Sequence, residues 1–259
     1  MLSIDHYAYT NRLRQVDPAV KAGLASSVLL LCLALSRPAV GILATLWMWG
    51  LSICLAGLPA AVFGRLLIAE GTFMLITVVG VALSVSTSPV LGEDSWSWQI
   101  GPLWVSSSPA MIQLALTLLT RALGGAAALN FLALTTPMVD VIELLRRLHV
   151  PALLIDLMTI TYRYIFILLE NLERMVTAQS SRLGYANLRR SMVSAGLLAS
   201  RLFIETYQRS QRLQTALDSR GYSGAGNLKV LPLNFRFDFP LVGLGTLALI
   251  SLVLVRLYV

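Results

Sequence analysis

Ala178-Gln179-Ser180-Ser181-Arg182-Leu183-Gly184-Tyr185 and Ala216-Leu217-Asp218-Ser219-Arg220-Gly221-Tyr222 lie 38 residues apart and are two versions of one pattern. At that shift the chain repeats Thr177/Thr215, Ala178/Ala216, Ser181/Ser219 and Arg182/Arg220, and further back Arg174/Arg212 and Arg163/Arg201. These are six identities in the twenty positions from 163 to 182. Each stretch closes a long segment with apolar residues at helical spacing. In each, a glycine follows the arginine within two residues, as expected where a helix stops in a left-handed cap. A single arginine at a helix C-terminus is explained by the helix dipole. Two alike, on similar arms, point to a repeated contact.

Outside these stretches the chain is apolar. Of 259 residues, 56% are hydrophobic and 13% charged, against about 25% charged in a soluble domain. The composition therefore predicts a polytopic membrane protein. Cys32 and Cys54 both lie in apolar runs and read as small buried hydrophobes, without the spacing of a disulfide framework or metal knot. The first twenty residues carry Asp5, Arg12, Arg14 and Asp17 and no apolar core, so no cleavable signal peptide is expected there. The first span is expected to direct insertion.

Five spans are expected: Ala22 to Leu35, extendable back to Pro18, then Ala39 to Ala56, Leu66 to Val85, Pro109 to Leu134 and Pro240 to Tyr258. Basic residues Arg12, Arg14 and Lys21 place the N-terminus inside by the positive-inside rule. No Lys or Arg occurs between Leu66 and Thr120, where Glu93, Asp94, Trp96, Trp98 and Trp104 suit an outer loop at the membrane interface. Gly124-Gly125-Ala126-Ala127-Ala128 in the fourth span reads as a helix contact surface, within the chain or toward another membrane subunit. Arg121, mid-span, is costly in lipid. Glu70, the acidic candidate within the first four spans, is its expected partner; snorkelling of Arg121 toward water and contact with a substrate-binding membrane subunit are the alternatives.

The texture changes after Thr135-Thr136-Pro137. Thirteen Lys or Arg fall between Arg146 and Arg236, against six in the first 145 residues. That clustering reads as retention in the cytoplasm rather than as nucleic-acid binding. Residues 138 to 148 form a short amphipathic helix on which Asp140 and Glu143 share a solvated face. Two arms follow, Pro151 to Arg182 and Leu188 to Arg220. Charges recurring along both make neither a good span, and each is expected to lie at a membrane boundary with one face toward a partner. The predicted fold is an all-α integral membrane protein with about five transmembrane helices plus long amphipathic cytoplasmic helices. Residues 1–136 hold four spans, 137–236 the cytoplasmic region and 237–259 the last span.

Signs of catalysis are scarce. The chain has no G-x-x-x-x-G-K-[ST] phosphate loop. Its two histidines, His6 and His149, are far apart in sequence and lack the H-x-x-x-H spacing or a Cys partner, so neither a metal site nor His-based catalysis is expected. A non-catalytic membrane anchor with two Arg-tipped arms remains, and two equivalent tips suggest two equivalent receptors. The alternatives are a self-sufficient carrier or channel using Arg121 and Glu70, and a membrane enzyme or scaffold unrelated to ATP.

The paired motifs at Ala178 to Gly184 and Ala216 to Gly221 resemble the Ala-Arg-Gly signatures of the T subunit, the transmembrane coupling protein of energy-coupling-factor transporters. Thr135-Thr136-Pro137, Asp140 to Pro151 (DVIELLRRLHVP) and Thr161-Tyr162-Arg163-Tyr164 are similar to the cobalt/nickel group within that family. Leu183, inserted between Arg182 and Gly184, departs from the pattern, as does Ala19 in Asp17-Pro18-Ala19-Val20-Lys21. The resemblance implies a coupling subunit of the bacterial inner membrane for cobalt or nickel uptake, without cofactor or bound metal of its own. Its partners would be two ATP-binding ATPase subunits and a metal-binding membrane subunit, with room for a small accessory membrane subunit. By the same resemblance Ala178, Ser181, Arg182, Gly184, Ala216, Ser219, Arg220 and Gly221 bind the ATPases.

Overall fold

The computed structural model describes residues 3–35, 37–82, 84–86, 96–100, 103–222, 235 and 239–258. Its helices are α1 (Ser3–Thr10), α2 (Pro18–Ala34), α3 (Pro38–Cys54), α4 (Ala60–Ala82), α5 (Pro109–Thr135), α6 (Met138–Arg147), α7 (Ala152–Ser181), α8 (Leu188–Ser219) and α9 (Phe239–Tyr258). The helix starts follow from local chemistry. Proline occupies the first position of α2, α3 and α5, where its missing N–H leaves no intrahelical bond unmade. Asp17 and Ser108 cap α2 and α5 by accepting the backbone N–H of Ala19 and Met111 at 3.0 and 3.3 Å. The chain is an all-α membrane protein.

The helices form two compact units, one holding α1 to α5 and α9, the other α6 to α8. In the first, α5 is the hub and packs against α1, α2, α3 and α4, while α9 lies on α2 and α3. Small residues permit this. A Cβ on Gly41 would fall 2.2 Å from the Thr120 carbonyl oxygen, so α3 and α5 touch backbone to backbone. Gly124 and Gly125 are buried, and Ala127 and Ala128 are completely covered. The small-residue cluster of α5 therefore serves contacts within the chain.

The N-terminal segment is tied to the end of α5. Lys21, fully buried, donates from Nζ to the carbonyls of Leu13 and Thr135 at 3.1 and 3.0 Å. Asn11 donates to the carbonyls of Ala8, Leu134 and Thr135. A lysine in an apolar interior requires such partners, because an unmatched buried charge is strongly destabilising.

Three expectations change. The third span begins at Ala60, not Leu66, because the chain after Gly57 (φ +68) restarts a helix at once, with the Val62 N–H donating to Pro59. The connection read as a loop contains a three-stranded antiparallel sheet, β1 (Ser84–Ser86), β2 (Trp96–Ile100) and β3 (Leu103–Ser107), in the order β1-β3-β2 with Trp98 opposite Val105. Glu93 and Asp94 lie outside the described residues, as do the side chains of Trp96, Trp98 and Trp104. Thirdly, α7 joins α4 and α5 as a helix long and apolar enough to cross a membrane by length and composition. Its first eighteen residues hold just Asp156 and Arg163, whereas Glu170, Glu173 and Arg174 crowd its second half.

Gly41→Ala is expected to lower stability by about 1–3 kcal/mol, since α3 and α5 must separate. Gly23→Ala, with nothing within 4 Å of its added Cβ, should be neutral or stabilising by up to about 1 kcal/mol. Thermal unfolding of both variants in detergent checks this; equal losses would refute the packing account.

Candidate functional site

The second unit is built on α7 and α8, which run antiparallel. At one end the Ser194 hydroxyl donates to the Gly184 carbonyl at 3.0 Å. Midway the Asn171 amide donates to Glu205 at 2.7 Å, and further along the Arg209 guanidinium lies 5.7 Å from the Tyr164 ring centroid. At the far end the Tyr222 hydroxyl donates to Asp156 at 3.0 Å. Partial burial, that hydrogen bond and the carboxylate's charge all push the Tyr222 phenol above its ordinary pKa. It stays neutral, and able to donate, well into alkaline solution. α6 packs on α7; its Glu143 pairs with Arg146 and Arg147 at 3.3 and 3.9 Å. Asp140, expected on a solvated face with Glu143, is instead buried; it lies in the first turn of α6, where the helix dipole favours a carboxylate.

Both arms end in the same backbone motif. After α7, the Gly184 N–H donates to the Gln179 carbonyl and the Leu183 N–H to that of Ser180. After α8, the Tyr222 N–H donates to Leu217 and the Gly221 N–H to Asp218. These are paired Schellman closures, with Arg182 and Arg220 as the capping residues at φ −97° and −95°. The repeated hydroxyls have the same cause. Ser181 donates to Thr177 and Ser219 to Thr215, while Thr177 donates to Glu173 and Thr215 to Gln211. Each hydroxyl is satisfied on its own helix, four residues back. Ala178, Arg182, Ala216 and Arg220 remain exposed.

The two glycines do different work. Gly221 takes the left-handed position at φ +73°. At the first tip that position belongs to Leu183, at φ +57°, not to Gly184 as the motif suggested. Gly184 is small for a different reason: a Cβ there would stand 2.6 Å from Ser194 Oγ and 2.9 Å from the Gln179 carbonyl. It lets the turn close onto α8. Between the arms an open groove of about 900 Å³ is lined by Arg174, Ala178, Arg182, Arg201 and Glu205, among others. Arg182 thus borders both the groove and the tip.

The α7–α8 turn places Arg182 at one end of this hairpin, and Arg220 lies at the other, separated by the 32 residues of α8. At 1.5 Å per residue that is about 48 Å. The two tips stand at opposite ends of one hairpin.

Arg121 and Glu70 are not brought together. Asn130 donates both amide contacts to the Glu70 carboxylate, at 3.1 and 2.9 Å. Asn130 is nine residues from Arg121, about 13.5 Å along α5, farther than an arginine side chain spans. Among the described residues no ion pair joins Arg121 to Glu70, and no group of three His, Cys, Asp or Glu is placed to hold a metal ion.

Leu183→Gly is expected to stabilise the first tip by about 1 kcal/mol by removing a Cβ from a left-handed position. Gly221→Leu should cost a similar amount at the second, and Gly184→Ala should loosen the first turn through its collision with Ser194. Amide exchange at residues 179–184 and 217–222 reads each effect locally; a loss of protection in Leu183→Gly would contradict the cap assignment.

Comparison with known proteins agrees with this architecture. The family model of the cobalt transport protein CbiQ matches residues 10–230. The chain is 30% identical to the cobalt transport protein CbiQ of Salmonella typhimurium over 224 residues, 86% of this chain and 98% of that protein. It is 27% identical over 221 residues, 85% of this chain, to a putative fused cobalt transport protein CbiMQ of Methanocorpusculum labreanum, covering 36% of that longer protein. It is also 27% identical to the energy-coupling factor transporter transmembrane protein EcfT of Ruminiclostridium cellulolyticum, over 74% of this chain and 75% of that one. With most of its length matched by the model, and with arms and spans of the kind the motifs implied, this chain belongs to the CbiQ family of cobalt transport proteins.

Proposed function

We propose that the chain is the non-catalytic coupling subunit of an energy-coupling-factor transporter for cobalt or nickel uptake. It binds two ATPase subunits through the Arg182 and Arg220 tips and a metal-binding membrane subunit through its membrane helices. The observation that carries this reading is the pair of matching caps, each with an exposed arginine, at opposite ends of one hairpin. A guanidinium offers a planar fork for a carboxylate, and a helix end holds it at a fixed angle. The fused CbiMQ relative supports a membrane partner close to this chain, since its name joins two transport proteins in one polypeptide.

In this reading ATP is bound and hydrolysed by the partners. Closure of the ATPases draws on both tips, the hairpin moves as a unit, and the membrane helices pass the motion to the metal-binding subunit. Metal selectivity then resides in that subunit, and the N-terminus and arms face the cytoplasm. Glu70, bonded to Asn130, serves the packing of α4 on α5 rather than a transport path.

Affinity purification of the tagged chain from its native membrane is the test. The wild type is expected to bring two ATPase copies and a membrane metal binder. Arg182→Glu/Arg220→Glu should lose the ATPases and keep the membrane partner. Retention of the ATPases by the double variant, or metal flux through the chain reconstituted alone, would overturn the proposal.

A further inference from the structure

The two tips share a cap but not their surroundings. No acidic residue occurs between Glu173 and Glu205, a stretch that carries Arg174, Arg182, Arg189, Arg190 and Arg201. Three of these converge: Arg182, Arg189 and Arg190 line one concavity of about 480 Å³ at the α7–α8 turn, with Leu183 and Val193 beside them. All three arginines are exposed. Leu183 and Leu188, 67% and 82% exposed, stand at the same turn. The turn is fixed before any partner arrives, by the Schellman bonds, by Asn187 accepting the Arg190 N–H at 2.9 Å and by Ser194 on Gly184. The second tip differs in sequence. The positions 38 residues on from Arg189 and Arg190 are Asn227 and Leu228, and Asp218 stands where the first tip has Ser180.

We propose that Arg189 and Arg190 join Arg182 in a basic docking site, specific to the first tip, for an acidic and partly apolar surface of a partner protein. That the partner is one of the two ATPases rests on the coupling reading above. Charge complementarity selects the acidic surface, and the exposed leucines require an apolar element in it. A protein fits this site better than a lipid surface does. Helices that bind lipid headgroups lie flat, with basic residues flanking an apolar face along their length, whereas here three guanidinium groups gather at the concave end of a turn. The turn that carries the arginines is already closed, so little backbone freedom is lost on docking. The first tip is thus the stronger of the two attachments.

A photoreactive residue at position 188, Leu188→p-benzoylphenylalanine, placed in the full chain in its native membrane, tests this together with native mass spectrometry of the purified complex. The expected result is an adduct with an acidic segment of an ATPase subunit, lost in Arg189→Gln/Arg190→Gln. The same double variant should carry one ATPase copy where the wild type carries two. Should the wild type hold no ATPase, while the probe joins an acidic segment of another identified protein in a manner that depends on both arginines, the docking site stands and the coupling reading falls. A lipid adduct, no adduct, or an adduct and stoichiometry unchanged by the double substitution would overturn the inference.

Discussion

Backbone contact between α3 and α5, at Gly41 and Thr120, is the constraint around which the membrane unit is arranged. In lipid, apolar side chains gain little by leaving one apolar environment for another, so helices associate through close packing. Gly41 and Gly124 supply it. With α5 held this close, α2 and α4 find their places on its other sides, and Lys21 reaches the Thr135 carbonyl at its C-terminal end. The same lysine closes the N-terminal segment against Leu13. A charge that needs two carbonyl partners in an apolar interior fixes their separation more tightly than an aliphatic side chain would. The unit is therefore set by close backbone approach along α5 and by polar bonds at its end.

Much of this was legible because membrane helices announce themselves by length and apolarity. Pro109 opens both the expected span and its helix, while Pro18 and Pro38 open helices whose expected spans began at Ala22 and Ala39. The sheet was missed even though Trp96, Trp98 and Ile100 alternate with Ser97 and Gln99, a strand period hidden among tryptophans that interface chemistry already explained. The apolar first half of α7 was overlooked because its charges were weighed over the whole helix, when that half holds only two. The Arg121–Glu70 pairing rested on elimination among acidic residues. The neutral Asn130, which takes Glu70 instead, carries no charge to attract notice.

At the tips, the repeat was visible but its meaning was divided between two kinds of residue. Thr177, Ser181 and their counterparts repeat because their hydroxyls bond the preceding helical turn, while Arg182 and Arg220 repeat facing outward. Sequence could not separate the two, since both are identities at the same spacing. Nor could it tell that Leu183 would adopt the left-handed conformation. A glycine one residue later seemed the natural candidate, and its closeness to Ser194 is a tertiary fact.

The hairpin's length has a geometric consequence. Contacts at Gly184, Asn171, Tyr164 and Asp156 join its two rods along their length, so a tilt at its middle is shared by both ends. With roughly 24 Å from midpoint to tip, half the length of α8, a 10° tilt displaces each arginine by about 4 Å, in opposite directions. The hairpin has the proportions of a seesaw, in which a small angular change at the centre and an appreciable displacement at the rims are the same event.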